Sequence, residues 1–293
     1  MLIDKDTGMM VKCVIRVISV AFFIALTSCN RQEVVLSEDE LRRQDSLALH
    51  VAVLPVEACL PLYLAESIGL ADSLGLDLRL IRCESLMDID TAYFNRHIEV
   101  AWEDRLRVEQ YSRQSPGFLH RDSINGTDTM WLHTPTHLYL LASRQSKIKR
   151  LSQLTEKMIA VTRWSAVDSF CNIAIDSAHI NQYDVYRPQV NSLKLRMRML
   201  RENLVECAVL PEPYATWAKK EKHRVLFSTE HAADSSALAQ LEYATGFFST
   251  RQTLADSLRR KQTEQLRKVY IRAKEILDRE GIQILDSLNI FTL

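Results

Sequence analysis

The sequence predicts an α/β protein of two lobes, with two parallel or mixed sheets, helices on both faces and a two-strand hinge. Three observations predict it. Strand-like and helix-like periods interchange as β-α-β-α-β from Leu49 to Trp102, the pattern of a parallel sheet with crossover helices. A second alternation runs from Lys157 to Ser228. Two further strands, Thr136–Ala142 and Glu242–Ser249, flank that second unit, where the chain must pass between the two.

In chain order, the first element is a leader. Lys12 and Arg16 precede the apolar run Val17–Leu26, which is too short to span a bilayer, and Leu26-Thr27-Ser28-Cys29 follows. Small residues before a cysteine resemble a bacterial lipobox. That resemblance implies cleavage before Cys29, a lipid on its sulfur, and residues 1–28 absent from the mature chain. Asp4 and Asp6 sit oddly in a positive region, so Met9 or Met10 is an alternative start. Residues 29–46 are polar and read as a tether. Asn30 after the cysteine permits the outer as well as the inner membrane, with the protein on the periplasmic side.

Leu49–Leu54 is a short strand. Leu60–Ser73 carries apolar residues at helical spacing and ends toward Gly75. Leu76–Arg82 alternates and is a strand, Leu86–Arg96 a helix and Ile98–Trp102 a strand. Glu103–Gln114 reads as a polar helix, followed by a loop containing Asn125-Gly126. Met130–Leu132 and Thr136–Ala142 are strands. In the second unit Lys157–Thr162, Asp184–Val190, Val205–Leu210 and Arg224–Ser228 are strands, with helices over Ala166–His179, Ser192–Asn203 and Tyr214–Glu221. After the strand Glu242–Ser249 come a long amphipathic helix, Leu254–Arg279, and a shorter one, Ile282–Leu288. One lobe is thus expected from 47–138 plus 246–293, the other from 139–245, with a cleft between them.

Bulk properties narrow the function. Lys plus Arg and Asp plus Glu each number 37, so no basic patch points to nucleic acid. Cys59, Cys83, Cys171 and Cys207 lack metal-ligand spacing and have apolar neighbours. They read as buried thiols or, in an oxidising compartment, as the pairs Cys59–Cys83 and Cys171–Cys207. The histidines are scattered; only His133 and His137 have i, i+4 spacing, on a Pro-interrupted extended segment, so no metal and no cofactor is expected. Nucleotide-binding glycine patterns and a nucleophile elbow are absent.

Candidate ligand residues fall at strand-to-helix turns. Pro55 and Glu57 lie in the first, stiffened by Pro61, where free helix N–H groups face the cleft. Trp102, Glu103 and Asp104 end the third strand; Trp102 is a stacking surface or core packing, and the two acids cap a helix start more readily than they catalyse. Arg163, Trp164 and Ser165 form a third turn, with Ser165 an N-cap. Glu212 and Tyr214 sit in a fourth, between and after two prolines.

Three segments carry a family resemblance. Pro61–Leu70 with Leu74-Gly75-Leu76-Asp77-Leu78, then His97-Ile98-Glu99-Val100-Ala101, then Val205–Tyr214, resemble a type II periplasmic substrate-binding protein of ABC importers. The branch they resemble binds thiamine-pyrimidine precursors, alkanesulfonates, taurine or nitrate. The resemblance implies a monomeric, non-enzymatic protein that captures a small solute for an ABC permease. Arg96-His97, Trp102-Glu103-Asp104 and Arg163-Trp164-Ser165 depart from the family's small residues. Glu57, Glu103 or Asp104, and Glu212 beside Trp102, Trp164 and Tyr214 suit a polar or aromatic solute, even a cationic heterocycle, with Arg163 the counterexample. A sensor or assembly lipoprotein on the same fold is an alternative, as is an enzyme of the menaquinone-pathway or pyrimidine-synthase type.

Overall fold

The computed structural model describes residues 45–95, 98–107, 130–230, 237–242, 244–249 and 251–281. Cys29, nearly all of the tether, Arg96-His97, Asn125-Gly126 and the Ile282–Leu288 helix lie outside the described residues. Two mixed sheets organise the chain from Leu47 onward.

The first sheet contains β1 (Leu49–Val53), β2 (Leu78–Arg82), β3 (Val100–Asp104), β4 (Met130–His133) and β9 (Thr245–Ser249), in the order β2-β1-β3-β9-β4. β1 is parallel to β2 and β3, whereas β9 runs antiparallel between β3 and β4. The crossover after β1 is α1 (Leu60–Ser67). The expected single helix to Ser73 breaks at Gly69, whose φ of +64° is left-handed, and resumes as α2 (Leu70–Ser73). α3 (Leu86–Phe94) starts with a capping box in which Ser85 and Asp88 each accept the other's backbone N–H.

The second sheet has the order β6-β7-β5-β8, from β5 (Leu138–Ala142), β6 (Ile159–Ala160), β7 (Cys207–Pro211) and β8 (Arg224–Ser228). β5 is buried throughout and antiparallel to both neighbours. Its period-2 geometry sends Leu138, Leu140 and Ala142 to one face and Tyr139 and Leu141 to the other. The first face is covered by α4 (Ala166–Ser177) through Phe170, Cys171 and Ala174. The second is covered by α5 (Leu193–Arg201) and α6 (Tyr214–Lys220) through Met197, Leu200, Ala215 and Ala218. Burial on both faces explains why β5 and β7 read as apolar runs, while the edge strand β8 is exposed to half-buried.

The Asp184–Val190 strand needs correction. It makes only isolated bridges, Met158 to Tyr186 and Val161 to Gln189, beside β6. Pro188 offers no N–H, so a continuous ladder cannot form there. The third strand also runs two residues further than expected, to Asp104, which is at once the strand's last residue and, as expected of an acid there, the cap of the helical turn that begins at Arg105.

After β9, α7 (Ala237–Glu242) having preceded it, the chain forms α8 (Arg251–Ala255) and α9 (Ser257–Glu280). The expected single helix divides at Asp256, whose carboxylate accepts the Arg259 N–H and caps α9. α9 packs on α1 and against the first sheet. Tyr270 Oη donates to the Ala58 carbonyl at 2.9 Å, and its ring meets Phe247 of β9 at 5.5 Å. Arg259 donates to the Ala48 carbonyl at 2.6 Å and pairs with Glu99 at 3.1 Å, which ties the helix to the start of β1. Cys59, Cys83, Cys171 and Cys207 are buried free thiols.

Candidate ligand cleft

The two sheets are joined where β4 passes into β5 and where the chain returns to β9. The crossings touch. Thr134 N–H donates to the Thr245 carbonyl at 3.1 Å, Thr245 Oγ1 donates back to the Thr134 carbonyl at 2.7 Å, and Thr136 and Thr245 hydroxyls lie 3.0 Å apart. Of these buried threonines, Thr136 and Thr245 line a cleft of about 530 Å3 of space not filled by protein, open solvent at its mouth included. Leu54, Val56, Leu86, Trp102 and Asp104 line it from the first sheet's side. Thr162, Ala166, Asn191, Leu193, Arg196 and Pro211 line it from the second.

Strand alternation sorts the end of β3. Trp102 and Asp104 share the face toward the cleft, and Glu103 takes the other. The Trp102 ring is buried and its indole N–H donates to Thr134 Oγ1 at 2.8 Å, so it both packs and walls the cleft. Glu103 lies in a buried cluster with Asp90 and Arg107, and Asp90 pairs with the Arg107 guanidinium. Burial first, and then Asp90, hold the Glu103 carboxyl well above the usual carboxylate range, against the pull of Arg107.

Asp104 spans the cleft. Its Oδ1 accepts the N–H groups of Leu106 at 2.9 Å and Arg107 at 3.4 Å, within its own lobe. Its Oδ2 accepts the Ala166 N–H at 2.5 Å, at the first residue of α4 on the opposite side. Burial pushes its pKa up to about 6, although the three N–H donors and Arg107 oppose the shift.

Arg196 is the second charged lining residue. It projects from α5, is fully buried, and donates to the Val190 and Val209 carbonyls at 2.6–3.1 Å and to the Thr162 hydroxyl. No ion pair to a carboxylate accompanies it among the described residues. Burial pulls its pKa down to about 9, which leaves it protonated at neutral pH. Its signal was present in the sequence: Leu193, Met197 and Leu200 mark the buried face of α5, and position 196 falls on that same face.

The remaining sequence-derived candidates are not among the lining residues. Pro55 is half-buried between the lining residues Leu54 and Val56. Glu57 is exposed, and its backbone N–H crosses to the Glu212 carbonyl at 3.0 Å. The Glu212 carboxylate accepts the Thr216 N–H at 2.9 Å and pairs with Lys219 at 3.1 Å. Tyr214 is buried edge-on against Trp217, ring centroids 5.1 Å apart. Ser165 caps α4, accepting the Val167 N–H at 3.2 Å. Trp164, at a φ of +56°, is 48% exposed. Arg163 pairs with Asp168 at 3.1 Å, a carboxylate it shares with Arg187 at 3.2 Å. No cluster of three or more His, Cys, Asp or Glu side chains that could hold a metal occurs among the described residues.

No protein-family model matches the chain, and no curated protein matches it. Solved structures do. The alkanesulfonate-binding protein SsuA from Xanthomonas axonopodis pv. citri, bound to MOPS, is 13% identical with a TM-score of 0.64, over 83% of this chain and 78% of that one. A ligand-binding component of an ABC-type import system from Staphylococcus aureus gives 12% identity and a TM-score of 0.62, over 84% and 79%. PhnD1 from Prochlorococcus marinus, in complex with methylphosphonate, gives 12% and 0.54, over 79% and 89%. Together with the two sheets and the double crossing, these likenesses give the chain the two-lobed fold of the type II periplasmic substrate-binding proteins.

Proposed function

We propose that this protein is a lipid-anchored, extracytoplasmic solute-binding protein that presents a small solute to an ABC permease, and that it is not an enzyme. The observation that carries the reading is a cleft lined from both lobes at a double crossing, the arrangement that hinge closure requires. The lobes are taken as 47–138 plus 246–293 and 139–245. The solute neighbours support transport: the X. axonopodis and P. marinus proteins hold MOPS and methylphosphonate.

The lining favours a solute with an apolar or aromatic body against Trp102, Leu54 and Leu193, and few polar groups. The case for a cation weakens on the geometry. Glu103 faces away, Glu212 is paired with Lys219, and Asp104 already accepts three N–H groups. Isothermal titration with thiamine-pathway heterocycles, polyamines, sulfonates, phosphonates and nitrate tests the reading. Trp102→Ala is expected to weaken the responding solute about tenfold, about 1.4 kcal/mol; silence across the panel counts against solute capture. Cys29→Ser is expected to abolish incorporation of radiolabelled palmitate into the protein, and unchanged incorporation contradicts the lipid anchor.

A further inference from the structure

We propose that Asp104 is a specificity-determining counter-ligand: its carboxylate, carried by the first lobe, sits on the N-terminus of α4 in the second, holds the lobes together without solute, and reserves that seat against an anionic group. The proposal rests on the solute-binding reading of the cleft. Three observations support it.

The first is the occupation of the seat. α4 has 12 residues, and its first two free N–H groups are both consumed internally, Ala166 by Asp104 at 2.5 Å and Val167 by Ser165 at 3.2 Å. A helix N-terminus attracts negative charge, and here the chain supplies that charge itself. The second is preorganisation. The Leu106 and Arg107 N–H groups hold Oδ1, so Oδ2 is aimed across the cleft without a mobile side chain. The third is cooperation with other contacts between the lobes. The Glu57 N–H reaches the Glu212 carbonyl at 3.0 Å, and the Asn191 amide meets the Met87 sulfur. An anionic solute would have to displace a carboxylate already bound, at a cost in affinity that a neutral solute does not meet.

The geometry provides an orthogonal pair of variants. Asp104→Ala removes the acceptor. Ala166→Pro removes the donor while sparing the helix, because Ala166 is its first residue and Ser165 before it is extended, with φ −138° and ψ 175°. Spin labels on ketone-bearing residues introduced at the exposed Glu84 and Gln189 flank the Met87–Asn191 contact at the cleft mouth. In the full chain, held in detergent with no solute, the interlabel distance is expected to be short and narrow. Both variants should keep a cooperative melt and show a longer, broader distribution. Unchanged distances in both folded variants, or a broad distribution in the unsubstituted chain, overturn the proposal. Methylphosphonate is expected to shorten the distances again in Asp104→Ala and to leave the unsubstituted chain as it was; an equal response in both contradicts the reserved seat. Because the distances that test the contact between the lobes are read without solute, their failure leaves solute capture standing.

Discussion

Replacing Arg196 with alanine is expected to destabilise the protein by about 2–4 kcal/mol, read as a lowered urea midpoint at an unchanged slope. The side chain is fully buried, and its loss strands the Val190 and Val209 carbonyls and the Thr162 hydroxyl. Each stranded acceptor costs about 1–3 kcal/mol, and the cavity left by a long side chain adds to that. Relief of guanidinium desolvation offsets part of the loss, since the charge sits among neutral acceptors only. The acceptors outweigh it because three of them lose their partner at once. Arg196→Lys should fall between, retaining the charge without the planar fork that reaches Thr162 and both carbonyls. A midpoint unchanged in the alanine variant contradicts the assigned role.

Asp104 should make the folded state less stable as pH rises from about 4 to about 6, by about 3 kcal/mol. Its folded pKa of about 6 lies above the ordinary 3.8, so the folded chain holds the proton more tightly than the unfolded one. Across that window the unfolded chain has ionised and the folded chain has not, and the contribution present below pH 4 is lost by the upper end. Glu103, raised by burial and Asp90, acts in the same direction, while Arg107 opposes both. The informative quantity is therefore a difference. Chemical melts of Asp104→Asn from pH 4 to 7 should show a flatter profile than the unsubstituted protein. Parallel profiles contradict the assignment.

Much of the architecture was legible because burial imposes period. The alternation of β2, the short apolar run of β1, and the apolar stripes of α4, α5 and α9 follow from which faces must leave water. The misreadings were local and physical. Gly69 and Asp256 each interrupt what periodicity joins into one helix, and Pro188 interrupts what alternation joins into one strand. In the cleft, Trp102 and Asp104 were legible as the end of a strand beside a turn. Arg196 was overlooked because its helix reads as an ordinary amphipathic one; the clue was a cation on the apolar stripe. The threonines of the crossing had no sequence signal, since their role comes from Thr134, Thr136 and Thr245 meeting across more than a hundred residues of chain. Asp104 illustrates the limit differently. Its position suggested a helix cap, which it is toward Leu106 and Arg107, but its third partner, the Ala166 N–H, is a backbone group that only the fold brings near.

Solute capture is tested most directly by native mass spectrometry of the gently purified protein, followed by denaturation to release whatever accompanied it. A single small molecule bound one to one is expected, retained by the unsubstituted protein and depleted from Trp102→Ala at the same folded fraction. A protein that carries no small molecule, or one whose bound molecule is indifferent to Trp102, contradicts capture in this cleft.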